Sequence, residues 1–83
     1  MLNRLDVLVI LEEVLLAARQ HGVEAAKGSK EFDQGLAMAY YDVLTVAIEQ
    51  AQLLGVDLDE IGLAGFDPDK EILNTRREAI SAA

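Results

Sequence analysis

Five acidic side chains follow Gly55 with no Lys or Arg between them, and they are the first candidates for chemistry in this sequence: Asp57, Asp59, Glu60, Asp67 and Asp69. Carboxylate oxygens are preferred ligands of Ca²⁺, and Asp57, Asp59 and Gly62 match positions 1, 3 and 6 of an EF-hand loop. However, Ile61 and Pro68 fall at positions 5 and 12, where that loop needs a ligand and a bidentate glutamate. The spacing therefore predicts no calcium site.

Helix capping explains the same acids more simply. Asp57 with Glu60 three positions later is typical of a capping box at the start of a single helical turn. Asp67 followed by Pro68 places an aspartate at the N-cap and a proline at the first helical position. A second interpretation takes the five carboxylates as an acidic surface that binds a basic partner. The sequence leaves both interpretations open.

No other set of residues predicts catalysis or metal binding. The chain has no cysteine and a single histidine, His21, which excludes thiolate sites and imidazole clusters. The carboxylates of the long helical stretches, Glu12, Glu13, Asp42 and Glu49, lack the Glu-x-x-His repeat of di-metal bundles. Gly-x-Ser-x-Gly turns and glycine-rich phosphate loops are absent from the sequence as well. We expect a non-enzymatic protein without metal or cofactor.

Composition predicts a folded acidic domain. Hydrophobic residues make up 52% of the 83 positions, which disfavours disorder, and the net charge of −8 repels phosphate backbones. We therefore expect no direct nucleic-acid binding, whereas a basic protein remains a possible partner. The apolar stretch from Leu5 to Ala18 contains Asp6, Glu12 and Glu13, so it predicts neither a membrane span nor a signal peptide. A cytoplasmic location follows as an expectation.

Helix start and stop signals predict an all-α fold of one domain, residues 1–83. The predicted helices run from Asn3 to His21, from Ser29 to Leu54, for one turn near Leu58, and from Pro68 to about Ile80. Gly22, Gly55 and Gly62 are expected to end the first three. The two long helices form an antiparallel hairpin over residues 1–54, followed by an acidic loop and a short C-terminal helix over residues 55–83.

Apolar spacing at 100° per residue assigns faces to the long helices. The predicted core face of the first helix comprises Val7, Leu8, Ile10, Leu11, Val14, Leu15 and Ala18. Leu5, Val9 and Leu16 fall on the opposite side, and this second stripe predicts a homodimer that completes a helical bundle. The second helix has one predicted core face: Phe32, Leu36, Ala39, Tyr40, Val43, Val46, Ala47, Leu53 and Leu54. Gln34 falls on its polar face.

The adjacent Tyr40 and Tyr41 suggest a place for partner contact. Tyr40 lies centrally in the apolar face, and Tyr41 lies at its margin beside Asp42, where an amphipathic ring suits an interface. Small size, acidity and a tyrosine pair together resemble colicin-type immunity proteins, four-helix inhibitors of toxic nucleases, although that family carries its tyrosines on a short helix just before a proline.

Two functional hypotheses follow from these observations. The first is a protein–protein interaction or regulatory module, indicated by an apolar excess without catalytic groups. The alternative, which the resemblance supports, is an acidic inhibitor or nucleic-acid mimic that binds a basic nuclease or DNA-binding protein.

Overall fold

The computed structural model describes residues 3–82 of the chain. In chain order these residues form α1 (Arg4–Ala26), α2 (Glu31–Leu54), a 3₁₀ turn (Leu58–Ile61), a π-helical turn (Asp69–Asn74) and α3 (Thr75–Ala82). No β-strand occurs in the described range. The predicted all-α class, with two long helices packed together, is confirmed.

The two long helices run antiparallel. Leu8 and Leu15 of α1 share a cleft with Ala51 and Leu54 near the end of α2, while Gly22 lies against Tyr40 nearer the opposite end. The chain after α2, residues 56–82, lies across one side of this hairpin, and we call it the C-terminal segment. The core of the molecule forms between the hairpin and this segment.

Several helix ends lie where local chemistry predicted them. Asn3 Oδ1 accepts a hydrogen bond from the Asp6 amide at 2.9 Å, and the Asp6 carboxylate accepts one from the Asn3 amide at 3.3 Å, which together form a capping box. Gly55 ends α2 with a φ of 69°, and Gly62 ends the 3₁₀ turn with a φ of 77°. Only glycine adopts this left-handed conformation without strain, so both predicted stops are confirmed.

Asp67 also caps a helical segment as predicted. Its Oδ1 accepts a hydrogen bond from the Asp69 amide at 3.0 Å, and its own amide donates to Glu71 Oε2 at 2.9 Å. These two bonds satisfy amide groups at the start of the π-helical turn, where no intrahelical acceptor is available. The helical conformation then continues through α3 to Ala82, slightly beyond the predicted end.

Three predicted caps are wrong. The first helix does not end at Gly22 but continues to Ala26, because Gly22 is buried where α2 and the C-terminal segment approach α1 closely. The second helix begins after Lys30 rather than Ser29. Asp57 precedes the 3₁₀ turn, but its side chain makes no capping hydrogen bond, and the turn is closed by the Glu60 amide donating to the Asp57 carbonyl.

The core differs from the predicted faces. Its buried apolar residues are Leu15, Ala18, Ala25, Ala26, Ala37, Leu44, Ala51, Ile61, Leu63, Phe66 and Ile72. Four of these come from the C-terminal segment, although the sequence predicted mainly an acidic loop there. Gln34, predicted to be polar and exposed, is buried as well, and its Nε2 donates to the Gly28 carbonyl in the turn between α1 and α2.

Much of the predicted core face is exposed instead. On α1 the exposed members are Val7, Ile10, Leu11 and Val14, and on α2 they are Phe32, Ala39, Val43, Val46, Leu53 and Leu54. The physical reason is that the C-terminal segment covers the other side of the hairpin. A periodic apolar pattern identifies a face suited to burial, but the pattern does not specify which element covers it.

Candidate interaction surfaces

The predicted stripe on α1 divides into an open part and a covered part. Leu5 and Val9 are exposed, whereas Leu16 is half-buried beneath the C-terminal segment. The Cγ atom of Leu16 lies only 2.7 Å from the position that a Cβ atom on Gly62 would occupy. The chain therefore covers Leu16 itself, and Leu5 and Val9 remain accessible to a partner.

Tyr41 is joined to the C-terminal segment. Its hydroxyl donates a hydrogen bond of 2.6 Å to Asp69 Oδ1. The Asp69 carboxylate accepts a hydrogen bond from the neutral phenol and would repel a phenolate. The pKa of Tyr41 therefore lies above its ordinary value of 10.0. Tyr41 thus connects α2 to the start of the π-helical turn, and its ring is half-buried.

The five candidate acids take different roles. Asp67 caps the π-helical turn, and Asp69 accepts the hydrogen bond from Tyr41. Asp57, Asp59 and Glu60 surround the 3₁₀ turn and are exposed, and none of the side-chain hydrogen bonds found among residues 3–82 involves them. The acidic surface available to a partner is therefore centred on these three residues.

The open apolar pair and the open acids meet at one cleft. The 3₁₀ turn packs against α1, and a cavity of about 200 Å³ is lined by Leu5, Leu8, Val9, Glu12 and Glu60. Aliphatic side chains form one part of its wall, and two carboxylates form another. We call this the Leu5–Glu60 cleft. It can accept an apolar side chain that is flanked by positive charge.

A larger apolar surface lies on the hairpin itself. We call it the open hairpin face and define it by the large exposed side chains Val7, Ile10, Val14, Phe32, Val43, Val46 and Leu53. About half or more of each side chain is accessible, from 45% for Val7 to 77% for Phe32 and Leu53. The apolar spacing predicted all seven as core residues, because a core face and an exposed interface give the same periodic pattern.

Both helices contribute to the same side of the hairpin. On α1, Leu16 faces the C-terminal segment, and on α2, Tyr41 does. Val14 and Val43 lie two positions from Leu16 and Tyr41, respectively, and two residues turn a helix by about 200°. Each valine therefore points away from the side that the C-terminal segment covers, so both stripes lie on the side of the hairpin that this segment leaves open.

The turn end of the hairpin carries a shallow cavity of about 490 Å³, whose lining combines the ionisable side chains His21, Glu24, Lys27 and Asp33 with the apolar Ala25 and Leu36. The His21 ring packs edge-on against Tyr40 with centroids 6.0 Å apart, and its Nδ1 lies 3.4 Å from the Tyr40 hydroxyl. Within residues 3–82, no group of three or more His, Asp or Glu side chains is close enough together to hold a metal ion.

Comparisons with known proteins identify no relative. No protein-family model, curated protein or solved structure matches the chain. In the part of the chain that the structure describes, none of the helices has the length and apolar character needed to cross a membrane.

Proposed function

We propose that this chain is a non-enzymatic protein–protein interaction module that docks through its open hairpin face. The observation that carries the proposal is the set of seven large exposed apolar side chains on α1 and α2, which lie on the side opposite the C-terminal segment. Extended exposed patches of this kind mark interaction sites on soluble proteins. A homodimer is one form that such docking can take, through a different face of α1 from the stripe of Leu5, Val9 and Leu16 that the sequence predicted.

The energetics favour covering this face. Fully burying an aliphatic or aromatic side chain contributes roughly 1.5 to 3 kcal/mol relative to leaving it in water. Seven such side chains, each already partly shielded, offer a gain on the order of 10 kcal/mol before association costs. Association costs fall between about 4 and 15 kcal/mol, so the gain exceeds them in the lower part of that range and only when most of the face is covered.

The ionisable groups that come together have structural roles, which supports the non-enzymatic interpretation. Asp67 caps a helical segment, and Asp69 accepts a hydrogen bond from Tyr41. Arg19 donates from Nη1 to the carbonyls of Gly62 and Ala64 and holds the C-terminal segment on α1.

Complex formation tests the proposal. Tagged full-length chain recovered from the cells that produce it is examined by native mass spectrometry, alongside Val43→Glu and Val9→Glu. We expect a stoichiometric complex, either with itself or with another protein, for the wild type and for Val9→Glu. The complex should be lost in Val43→Glu, which places a charge on the open hairpin face. Wild-type chain recovered only as monomer, or a complex that survives Val43→Glu, would contradict the proposal.

A second candidate function is binding of a basic protein, as an acidic inhibitor of a nuclease or a nucleic-acid mimic would do. The observation that favours it is the Leu5–Glu60 cleft, where exposed Leu5 and Val9 adjoin the carboxylates of Glu12 and Glu60. Apolar contact with a charged rim is the usual composition of a specific interface. Asp57 and Asp59 extend the negative charge around the 3₁₀ turn.

Inhibition assays on a panel of basic nucleases test this second function. If it operates, wild-type chain inhibits at least one nuclease, and the triple variant Asp57→Lys, Asp59→Lys and Glu60→Lys loses that inhibition while its helical circular dichroism is retained. Inhibition that survives the charge reversal would remove the acidic surface from the explanation. A chain that inhibits none of the nucleases would count against the function as a whole.

A further inference from the structure

We propose that a second copy of this chain covers the open hairpin face, so that two hairpins pack into a two-fold symmetric four-helix bundle. This inference rests on the proposed docking function and names its partner. The sequence placed a dimer interface at Leu5, Val9 and Leu16. The interface proposed here is different, because it lies on the side of the hairpin that the C-terminal segment leaves open.

The positions on this side of the hairpin are spaced as in helices that pack against other helices. On α1 the positions alternate by three and four residues through Val7, Ile10, Val14, Ala17 and His21. On α2 the same alternation runs through Phe32, Leu36, Ala39, Val43, Val46, Gln50 and Leu53. Such a repeat of seven residues keeps a stripe facing a neighbouring helix, as in coiled coils and four-helix bundles. Two such stripes on one side of a hairpin match a second hairpin.

The available area reaches the lower limit for a specific dimer. At 1.5 Å per residue the stripe on α2 extends over about 30 Å and the stripe on α1 over about 20 Å, and each helix is roughly 10 Å wide. One protomer therefore presents about 500 Å², and two protomers bury roughly 1,000 Å² together, which is the smallest area expected of a specific protein–protein interface.

The hairpin has few large buried side chains, and this favours a partner that is available wherever the chain is made. Among the large side chains of residues 3–82, only Leu44, Leu63 and Ile72 are fully buried, and α2 contributes just one of them. A domain of this size has a small stability margin, and oligomerisation commonly supplies the missing core. Because every cell that makes this chain contains further copies of it, a second copy meets this requirement without a separate gene product.

Space for a partner side chain lies at the end of the hairpin where α2 passes into the C-terminal segment. A cleft of about 180 Å³ is lined there by both long helices, including the exposed Leu11 and Leu54, and by Val56 and Ile61 of the C-terminal segment. Gln50 is the one lining residue with a polar side chain. Helical bundles pack by inserting side chains of one helix into such hollows of another, and an apolar cleft suits an aliphatic side chain.

Sedimentation equilibrium of the purified full-length chain tests the assignment with a matched pair of variants. Val14 and Val9 lie on the same helix with similar exposure, 58% and 52%, but on different sides of it. We expect the wild type and Val9→Glu to sediment as dimers of twice the 9.0 kDa chain mass. Val14→Glu should weaken dimerisation at least about 100-fold, because its carboxylate would be buried in the interface.

Isotope-filtered nuclear Overhauser spectroscopy on a mixture of labelled and unlabelled wild-type chain provides a test that needs no substitution. Contacts between copies are expected at the methyl groups of Val14, Val43 and Val46 and not at those of Val9. Contacts at Val9, or a dimer that Val9→Glu disrupts and Val14→Glu does not, would overturn the assignment in favour of the stripe containing Leu5 and Val9.

The outcomes also separate this inference from the docking function on which it rests. A purified wild-type chain that remains monomeric at high concentration overturns the homodimer. If Val43→Glu nevertheless abolishes a complex with a different protein in cells, docking through the open hairpin face stands, and the occupant is that other protein. If no complex of any kind depends on Val43, both proposals fail.

Discussion

The guanidinium of Arg19 lies over the ring of Phe66, with its Cζ atom 4.9 Å from the ring centroid. The same guanidinium donates through Nη1 to the carbonyls of Gly62 and Ala64, at 3.2 and 3.3 Å. A single side chain of α1 therefore binds both the backbone and an aromatic side chain of the C-terminal segment. Phe66 is buried, so this contact fixes part of the core as well as the path of the chain.

Substitution of Arg19 should loosen the C-terminal segment. Hydrogen bonds from a charged donor contribute about 1.5 to 3 kcal/mol, and a cation–π contact adds roughly 0.5 to 1 kcal/mol at exposed sites. We expect Arg19→Met to lower the free energy of unfolding by about 2 kcal/mol in urea titrations. Arg77→Met, at an exposed position of α3, is the control and should change it by less than about 0.5 kcal/mol. Equal effects would show that Arg19 acts only through net charge.

Two glycines inside helices should respond to alanine in opposite directions. A Cβ atom on Gly22 would lie 2.9 Å from Tyr40 Cβ and 3.0 Å from Ile72 Cδ1, whereas one on Gly35 would meet no atom within 4 Å. Alanine gains about 1 kcal/mol of helix propensity at either position, but overpacking costs about 1 to 3 kcal/mol. Tyr40 Cβ is fixed by the α2 backbone and cannot move alone.

We therefore expect Gly22→Ala to lower the melting temperature and Gly35→Ala to raise it, both measured by circular dichroism at one protein concentration. If Gly22→Ala raised stability, the helices would not approach as closely there as the structure shows. The two variants share the same change in side chain, so their difference isolates the contact with Tyr40 and Ile72.

How much could be predicted from the sequence depends on the range of the interactions. The capping box of Asn3 and the stops at Gly55 and Gly62 were predictable because they involve residues within a few positions of each other. Gly22 shows the limit. A glycine near a predicted helix end indicates a cap, and only the neighbouring α2 and C-terminal segment reveal that it permits close packing instead.

In the candidate surfaces, too, local patterns were predictable from the sequence and long-range contacts were not. The periodicity of Val14 and Val43 correctly indicated a face suited to burial, but a core and an interface produce the same pattern in a sequence. The covered state of Leu16 and the contact between Tyr41 and Asp69 join positions far apart in the chain. Both contacts depend on the path of residues 56–82, and the sequence of this segment has little apolar periodicity from which that path could be predicted.

The hydrogen bond from Tyr41 to Asp69 should be visible in a pH titration. The pKa of Tyr41 is raised by Asp69, so the bond stabilises the folded state below about pH 10 and this stabilisation is lost as the pH rises through the raised pKa. In a Tyr40→Phe background, where Tyr41 is the single tyrosine, phenolate absorbance should appear at lower pH once Asp69→Asn is added. An unchanged titration curve would show that Asp69 does not hold the Tyr41 proton in solution.

Salt should strengthen self-association. The edges of the open hairpin face carry acids on both helices, among them Asp6 and Glu13 on α1 and Asp42 and Glu49 on α2. Facing copies therefore bring like charges together, but exposed charge pairs contribute only about 0.2 to 1 kcal/mol each, which is less than the gain from apolar burial. Because salt screens exposed charges beyond about 8 Å at physiological strength, raising the salt concentration removes this repulsion.

Sedimentation equilibrium at low and high sodium chloride concentration measures the effect. From about 0.05 M to about 0.5 M salt, over which the screening length falls several-fold, we expect the dimer dissociation constant to decrease several-fold. The double variant Glu13→Gln and Glu49→Gln should dimerise more tightly at low salt and respond less to added salt. Dimerisation that weakens with salt would instead mean that opposite charges pair across the interface, and the face-to-face arrangement of the two hairpins would then be wrong.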